Sequence, residues 1–194
     1  MVKLPEEKQK ELLAKAWEAM DIFVSDILEK LKSEGLTVEG CICGSLARLE
    51  AECPRNYGKF LREVEMSIEY EIPDRETRER LRNIKSELER KCNDADCFIA
   101  ECGKLLEAGA DEDVEWLCEE AARQRCSDVD GKVVLGGKST DEIWRIIRRL
   151  HWYVAEKNEE IRKLVEPLEP EYGFMPKEIA ELIRYKETCL CKEY

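Results

Sequence analysis

The sequence is poor in histidine and has no apolar segment long enough to cross a bilayer. Its 194 residues include one histidine, His151, and no apolar run approaches the roughly 18 residues of a membrane-spanning helix. A single histidine also excludes a di-iron bundle site, which needs two Glu-x-x-His motifs. Glycine-rich nucleotide motifs, a serine elbow and a His-Glu-x-x-His zinc motif are all absent. The sequence therefore offers no catalytic constellation of a familiar kind.

Amide side chains are also scarce, while ionisable side chains are abundant. Charged residues make up 39% of the chain, and this combination is typical of hyperthermophile proteins. The first residues lack the apolar stretch of a secretory signal. We therefore expect a thermostable, cytoplasmic protein. The amides are Asn56, Asn83, Asn93, Asn158, Gln9 and Gln124.

The acidic balance of the chain limits its partners. The net charge is −12, from 44 acidic and 32 basic side chains. General nucleic-acid binding and binding to an anionic membrane surface are both disfavoured, because both need positive charge. With no catalytic constellation either, we expect a non-enzymatic interaction or assembly protein without a cofactor. Its partner would be another protein or a second copy of the chain.

Apolar residues recur at helical spacing over most of the sequence. The clearest helical segment is 5–34, and Ser139 with Glu142 forms a capping box ahead of another apolar stripe. We predict a mainly α fold, a compact bundle of five to seven helices. The prediction is one helical domain over 1–194, with a C-terminal helix and cysteine-containing tail over 176–194 packed on it.

Segment 36–72 is ambiguous. Apolar and mostly acidic residues alternate over 63–72, as in a half-buried strand, but the same residues fit a helix, which glutamate favours. We predict a helix, with one small β-hairpin between 37–43 and 63–72 as the alternative. A short extended piece at 132–135 is predicted inside a loop over 126–138.

Ten cysteines are the strongest chemical signal. Intracellular proteins of hyperthermophiles can keep disulfides, so we predict that these cysteines form disulfides or fill the core. We expect Cys189 or Cys191 to tie the tail to the 41–53 region or to another early element. The candidates are Cys41, Cys43, Cys53, Cys92, Cys97, Cys102, Cys118, Cys126, Cys189 and Cys191.

Two C-x-C pairs leave a metal site open as an alternative. Four thiolates can form a tetrahedral zinc site or hold an iron–sulfur cluster. No C-x2-C pair, the usual knuckle spacing, occurs in the sequence. The alternative function is therefore a cysteine-ligated zinc, iron–sulfur or redox protein. Its candidate ligands are Cys41, Cys43, Cys189 and Cys191.

Arg145 and His151 are separated by five residues. This spacing resembles the R-x(4–6)-H motif of HEPN ribonucleases, helical proteins in which the arginine and histidine meet at a dimer groove and cleave RNA. The resemblance covers only this heptapeptide, and Ile146 stands where the family usually has a polar residue. It implies a second alternative, RNA cleavage by Arg145 and His151, with Arg148 adding local positive charge. Otherwise, a lone histidine on an apolar face is expected to be a hydrogen-bonded core residue.

Overall fold

In the computed structural model of the protein, residues 3–194 are described, and they combine helices with a β-sheet. The helices of this part of the chain are α1 (Glu6–Ser25), α2 (Leu28–Ser33), α3 (Gly44–Ala47), α4 (Tyr57–Glu71), α5 (Arg75–Lys91), α6 (Ala95–Glu107), α7 (Glu112–Arg123), α8 (Thr140–Arg149), α9 (His151–Ile161), α10 (Lys177–Leu182) and α11 (Tyr185–Thr188). A 3₁₀ turn, Arg162–Val165, follows α9. The strands are β1 (Thr37–Cys43), β2 (Asp128–Gly136), β3 (Glu169–Pro176) and β4 (Leu190–Glu193).

A four-stranded mixed sheet shows that the predicted mainly α bundle is wrong; the fold is α/β. The strand order is β3-β2-β1-β4. Strand β1 pairs antiparallel with both β2 and β4, and β2 pairs parallel with β3. The alternative hairpin between 37–43 and 63–72 is also wrong, because 37–43 pairs with strands far away in the sequence. The helix predicted over 63–72 is confirmed, since α4 extends to Glu71.

The second halves of the two central strands lack the alternation by which a half-buried strand is recognised. Burial is continuous from Gly40 to Cys43 in β1 and from Val133 to Gly136 in β2. When both faces of a strand are covered, short apolar runs cannot be told from a buried helix by periodicity. For this reason the apolar residues at the start of segment 36–72 also fit a helix face, and an extended piece is predicted only at 132–135.

The chain divides into two compact units. One contains Glu52–Ser127 with Lys3, and it holds α4 to α7; we call it the helical unit. The other contains Leu4–Ala51 and Asp128–Tyr194, and it holds the sheet; we call it the sheet unit. The single domain over 1–194 stays a prediction.

The helical unit is built on helices with polar caps and apolar stripes. Helices α4 to α7 each begin after an Asn or Asp whose side chain accepts a hydrogen bond from a backbone N–H in the first turn. Each such cap stabilises its helix by about 1 kcal/mol. Phe60, Val64 and Ile68 form the buried face of α4. The Phe60 ring packs edge-on against Phe98 of α6, with centroids 5.3 Å apart.

Helix α1 is the main helix of the sheet unit. It ends at Ser25, and the chain resumes as α2 at Leu28, so the single helix predicted over 5–34 is interrupted. Phe23 is fully buried, and its ring centroid lies 5.7 Å from that of Tyr172 in β3. Tyr172 is accommodated by a glycine in β2. A Cβ at Gly131 would lie 2.6 Å from the Tyr172 ring.

The capping box predicted at Ser139 is present and starts α8. Segment 176–194, predicted as a helix with a tail, contains the short helices α10 and α11 followed by β4. None of the described helices is long and apolar enough to cross a membrane.

Candidate functional site

All ten cysteines, which the sequence analysis names as disulfide candidates, pair to form five disulfides, and none of them is free. The tie between the tail and the early segment is present, and it uses both C-x-C pairs. The bridges of the sheet unit are Cys41–Cys191 and Cys43–Cys189, and those of the helical unit are Cys53–Cys126, Cys92–Cys97 and Cys102–Cys118.

Strand register places the two tail disulfides side by side. Cys41 of β1 lies directly opposite Cys191 of β4 in an antiparallel pair. Residues two apart share a face of a strand, so Cys43 and Cys189 meet on the same side. The Cα–Cα distances are 4.1 and 4.2 Å. Equal C-x-C spacing on two strands therefore suits an antiparallel double bridge, a signal that the sequence carries.

The four candidate metal ligands are brought together, but their sulfurs are bonded to one another. A carboxylate oxygen of Glu39 joins the sulfurs of Cys41 and Cys191 in a group whose atoms all lie within 4.8 Å of one another. A metal binds thiolates, so a zinc or iron–sulfur site here requires the reduced chain. That alternative stays a prediction.

Tyr185 of α11 packs in a cluster with the buried cysteines of the two tail disulfides. Its ring is 1% exposed and belongs to a buried cluster with Cys41, Cys43 and Val134. Burial and the neighbouring Glu39 carboxylate raise the pKa of Tyr185 to about 12. The phenol therefore remains neutral beside the disulfides at ordinary pH.

The last residues of the chain are also attached to α1. Lys192 Nζ and Tyr194 Oη each donate a hydrogen bond to Asp21 Oδ1, at 2.7 and 2.6 Å. The Lys192 ammonium lies 5.6 Å from the ring centroid of Trp17. Partial burial of Asp21 opposes its ionisation, but the two hydrogen bonds hold its pKa below the usual value. The tail is thus fixed covalently to β1 and by polar contacts to α1.

The two edge strands of the sheet differ in the hydrogen bonding of their outer backbone groups. At the β3 edge, the Asn158 side chain of α9 donates to the Tyr172 carbonyl and accepts from the Tyr172 N–H, both at 2.8 Å. At the β4 edge, the Tyr194 N–H donates to the Val38 carbonyl of β1 at 3.0 Å. Because alternate residues of an antiparallel strand face the same neighbour, the backbone groups of Cys191 face outward.

The single histidine lies at the start of α9 and is exposed, so the expectation of a core histidine is wrong. His151 and Arg148 line one open groove of about 470 Å³ together with Val154 and Phe174. Arg145 is exposed on α8 but is not among the residues that line this groove. The structure thus brings His151 together with Arg148, and RNA cleavage stays a prediction.

Two exposed tryptophans, Trp152 next to this histidine and Trp144 on α8, were not among the predicted site residues. Trp152 is 82% exposed, and Trp144, which the helical periodicity placed on an apolar stripe, is 37% exposed. A signal for this surface exists in the sequence. Residues 143–155 form the longest stretch of the chain without Asp or Glu, and they include three arginines.

Comparisons with protein-family models, with curated proteins and with solved structures find no match to this chain. Its function must therefore be inferred from its own residues.

Proposed function

We propose that the protein is a non-enzymatic assembly protein that pairs with a second copy of itself through the outer edge of β4. The contrast between the two edge strands carries the proposal. Asn158 satisfies the outer backbone groups of Tyr172 in β3, whereas the outer groups of Cys191 in β4 face away from the sheet. An unpaired strand edge is a template for another strand.

The covalent attachment of β4 supports this role. A four-residue strand at the edge of a sheet has few backbone pairs to hold it, and ordering it at an interface would lower the affinity. Here two disulfides hold β4 against β1, and Asp21 holds Lys192 and Tyr194. Pairing therefore requires little further ordering of the strand.

A second copy matches this edge because an antiparallel strand can be its own complement about a two-fold axis. A register centred on Cys191 puts Leu190, which is 44% exposed, opposite Lys192 of the other copy. No like charges then lie directly opposite one another across the strands. The net charge of −12 on each copy opposes association over longer distances, so added salt should strengthen the dimer.

Proline at position 193 tests the proposal. The Glu193 N–H faces outward like that of Cys191, so Glu193→Pro removes a donor from the outer edge and leaves the pairs with β1 in place. Glu193→Ala is the matched control, because it removes the same charge and keeps the N–H. We expect the wild type and Glu193→Ala to dimerise and Glu193→Pro to stay monomeric in sedimentation equilibrium.

Amide hydrogen exchange provides a second readout. The Cys191 amide should become protected only at concentrations that give the dimer, because its N–H is bonded across the new strand pair. A wild-type chain that stays monomeric at high salt and at its highest soluble concentration would contradict the proposal. A Glu193→Pro dimer would contradict it equally.

A further inference from the structure

The junction of α8 and α9 carries a positive surface on an acidic protein. The exposed side chains of this basic–aromatic surface are Trp144, Arg145, Arg148, Arg149, His151 and Trp152. No acidic residue occurs between Glu142 and Glu156, although the chain has 44 acidic residues. Glu142 itself is held by the Ser139 N–H and hydroxyl in the capping box, at 3.1 and 2.9 Å.

The three arginines of this surface differ from Arg80 and Arg82 of the helical unit. Arg80 and Arg82 each form ion pairs with two carboxylates. In contrast, Arg145, Arg148 and Arg149 have no carboxylate partner within 4.0 Å among residues 3–194. Arg149 Nε donates a hydrogen bond to the Arg145 carbonyl at 3.3 Å, and the exposed arginines can still offer their terminal guanidinium nitrogens to an anionic ligand. An exposed guanidinium binds phosphate oxygens in a bidentate manner.

The exposed tryptophan adds a second kind of contact. Trp152 is 82% exposed, and His151 meets its ring edge-on, with centroids 5.9 Å apart and planes at 72°. An exposed indole face beside positive charge is the arrangement on which unpaired bases stack while their phosphates are neutralised. A duplex keeps its bases stacked on one another and offers no such face.

We propose that the basic–aromatic surface binds single-stranded nucleic acid. Phosphates contact Arg145, Arg148 and Arg149, and a base stacks on Trp152. An acidic peptide could use the arginines but gives Trp152 no role. The overall charge of −12 disfavours general nucleic-acid binding, so the affinity depends on this local surface and falls steeply with salt. The proposal does not depend on pairing at β4.

Fluorescence anisotropy of labelled oligo(dT) and oligo(rU) at low salt tests the proposal. Trp152→Ala should weaken binding roughly thirtyfold, the middle of the range for one stacked base. Tyr70→Ala is the matched control, because Tyr70 is an 80% exposed aromatic side chain of the helical unit whose sequence neighbours are Glu69 and Glu71. We expect Tyr70→Ala to bind as the wild type does.

The salt dependence tests the arginines separately. Three phosphate contacts give a slope of about −2 for log affinity against log salt with a single strand. Replacing Arg145, Arg148 and Arg149 together with glutamine should remove that slope. Replacing three exposed basic residues of α5 with glutamine changes the net charge equally and should leave the slope unchanged. The α5 control residues are Arg75, Arg90 and Lys91.

Three outcomes would overturn the proposal. They are no binding of either oligonucleotide at low salt, equal binding by Trp152→Ala and Tyr70→Ala, and equal salt slopes for the two triple variants. Polyglutamate that binds as tightly as the oligonucleotides would assign the surface to an acidic peptide instead. Glu193→Pro should bind oligonucleotides normally, so failure at β4 and failure at this surface are distinguishable.

Discussion

The helical unit is mainly one continuous segment of the chain, whereas the sheet unit is assembled from two segments that this one separates. Their disulfides follow this difference. The helical unit contains bridges across 5 and 16 residues, and one of 73 residues that joins its two ends. The sheet unit is closed by bridges across 150 and 146 residues. The disulfides that span the most residues thus occur in the unit whose two segments are distant in sequence.

The two units also differ in the groups that respond to high pH. In the helical unit, partly exposed arginines such as Arg82 pair with carboxylates on a neighbouring helix. In the sheet unit, buried tyrosines such as Tyr172 and Tyr185 fill the core. The Tyr172 hydroxyl donates to the Ala16 carbonyl at 2.6 Å. We therefore expect alkali to weaken the sheet unit, whereas salt should weaken the ion pairs of both units.

Removing the tail disulfides should have the largest effect. In the chain-entropy model, closing a loop of this length stabilises the fold by about 5 kcal/mol, against about 2 kcal/mol for the Cys92–Cys97 loop. We expect Cys189→Ala with Cys191→Ala to lower the stability of the sheet unit by the larger amount. Cys92→Ala with Cys97→Ala should lower that of the helical unit by the smaller one. Urea denaturation followed by hydrogen exchange of each unit measures both.

One tail disulfide should retain most of this stabilisation. Once Cys41 and Cys191 are joined, the bridge from Cys43 to Cys189 closes only a short loop, so the two contributions do not add. Thiol titration under denaturant without reductant should find no free thiol in the wild type. Ten thiols, or stoichiometric zinc or iron in the same sample, would contradict the disulfide scaffold and favour the metal alternative.

High pH should destabilise the sheet unit. The pKa of Tyr185 is about 10 in the unfolded chain and about 12 in the fold, so its contribution is complete below pH 10. That contribution is lost as the pH rises towards 12, and two pKa units correspond to about 3 kcal/mol. Tyr185→Phe should make the sheet unit less sensitive to alkali. Urea midpoints on both sides of pH 10, with phenolate absorbance, measure the effect, and equal pH sensitivity of the variant would contradict it.

The helical unit could be predicted more fully than the sheet unit, for physical reasons. Phe60, Val64 and Ile68 recur at helical spacing because α4 buries one face, and its cap is local in sequence. In contrast, β1 is buried on both faces, and its partner β4 lies some 150 residues away. No local pattern specifies such a pairing. A tie between the tail and the 41–53 region is predicted from the sequence, but only the register of the strands selects the two pairs.

The basic–aromatic surface shows how a short break in a helix limits prediction from helical periodicity. An uninterrupted apolar stripe would place Trp144 and His151 inside. The structure ends α8 at Arg149 and starts α9 at His151, with Leu150 at φ −94° and ψ 6° between them. Helix α9 therefore starts anew at His151, and both His151 and Trp152 are exposed.

Breaking an arginine bridge in the helical unit should have the smallest effect. Arg82 Nε lies 2.5 Å from Glu65 Oε1, and Nη2 of the same guanidinium group pairs with Glu69. The hydrogen bond from Arg82 holds the pKa of Glu69 below its usual value, so this stabilisation is present above the ordinary glutamate pKa and is lost as the pH falls. Because the side chains are exposed, their interaction is weak and screened by salt. Arg82→Gln should therefore lower the urea midpoint of the helical unit slightly at low salt and not at high salt. A loss that persists in high salt would mean that Arg82 contributes by packing its aliphatic stem rather than by charge.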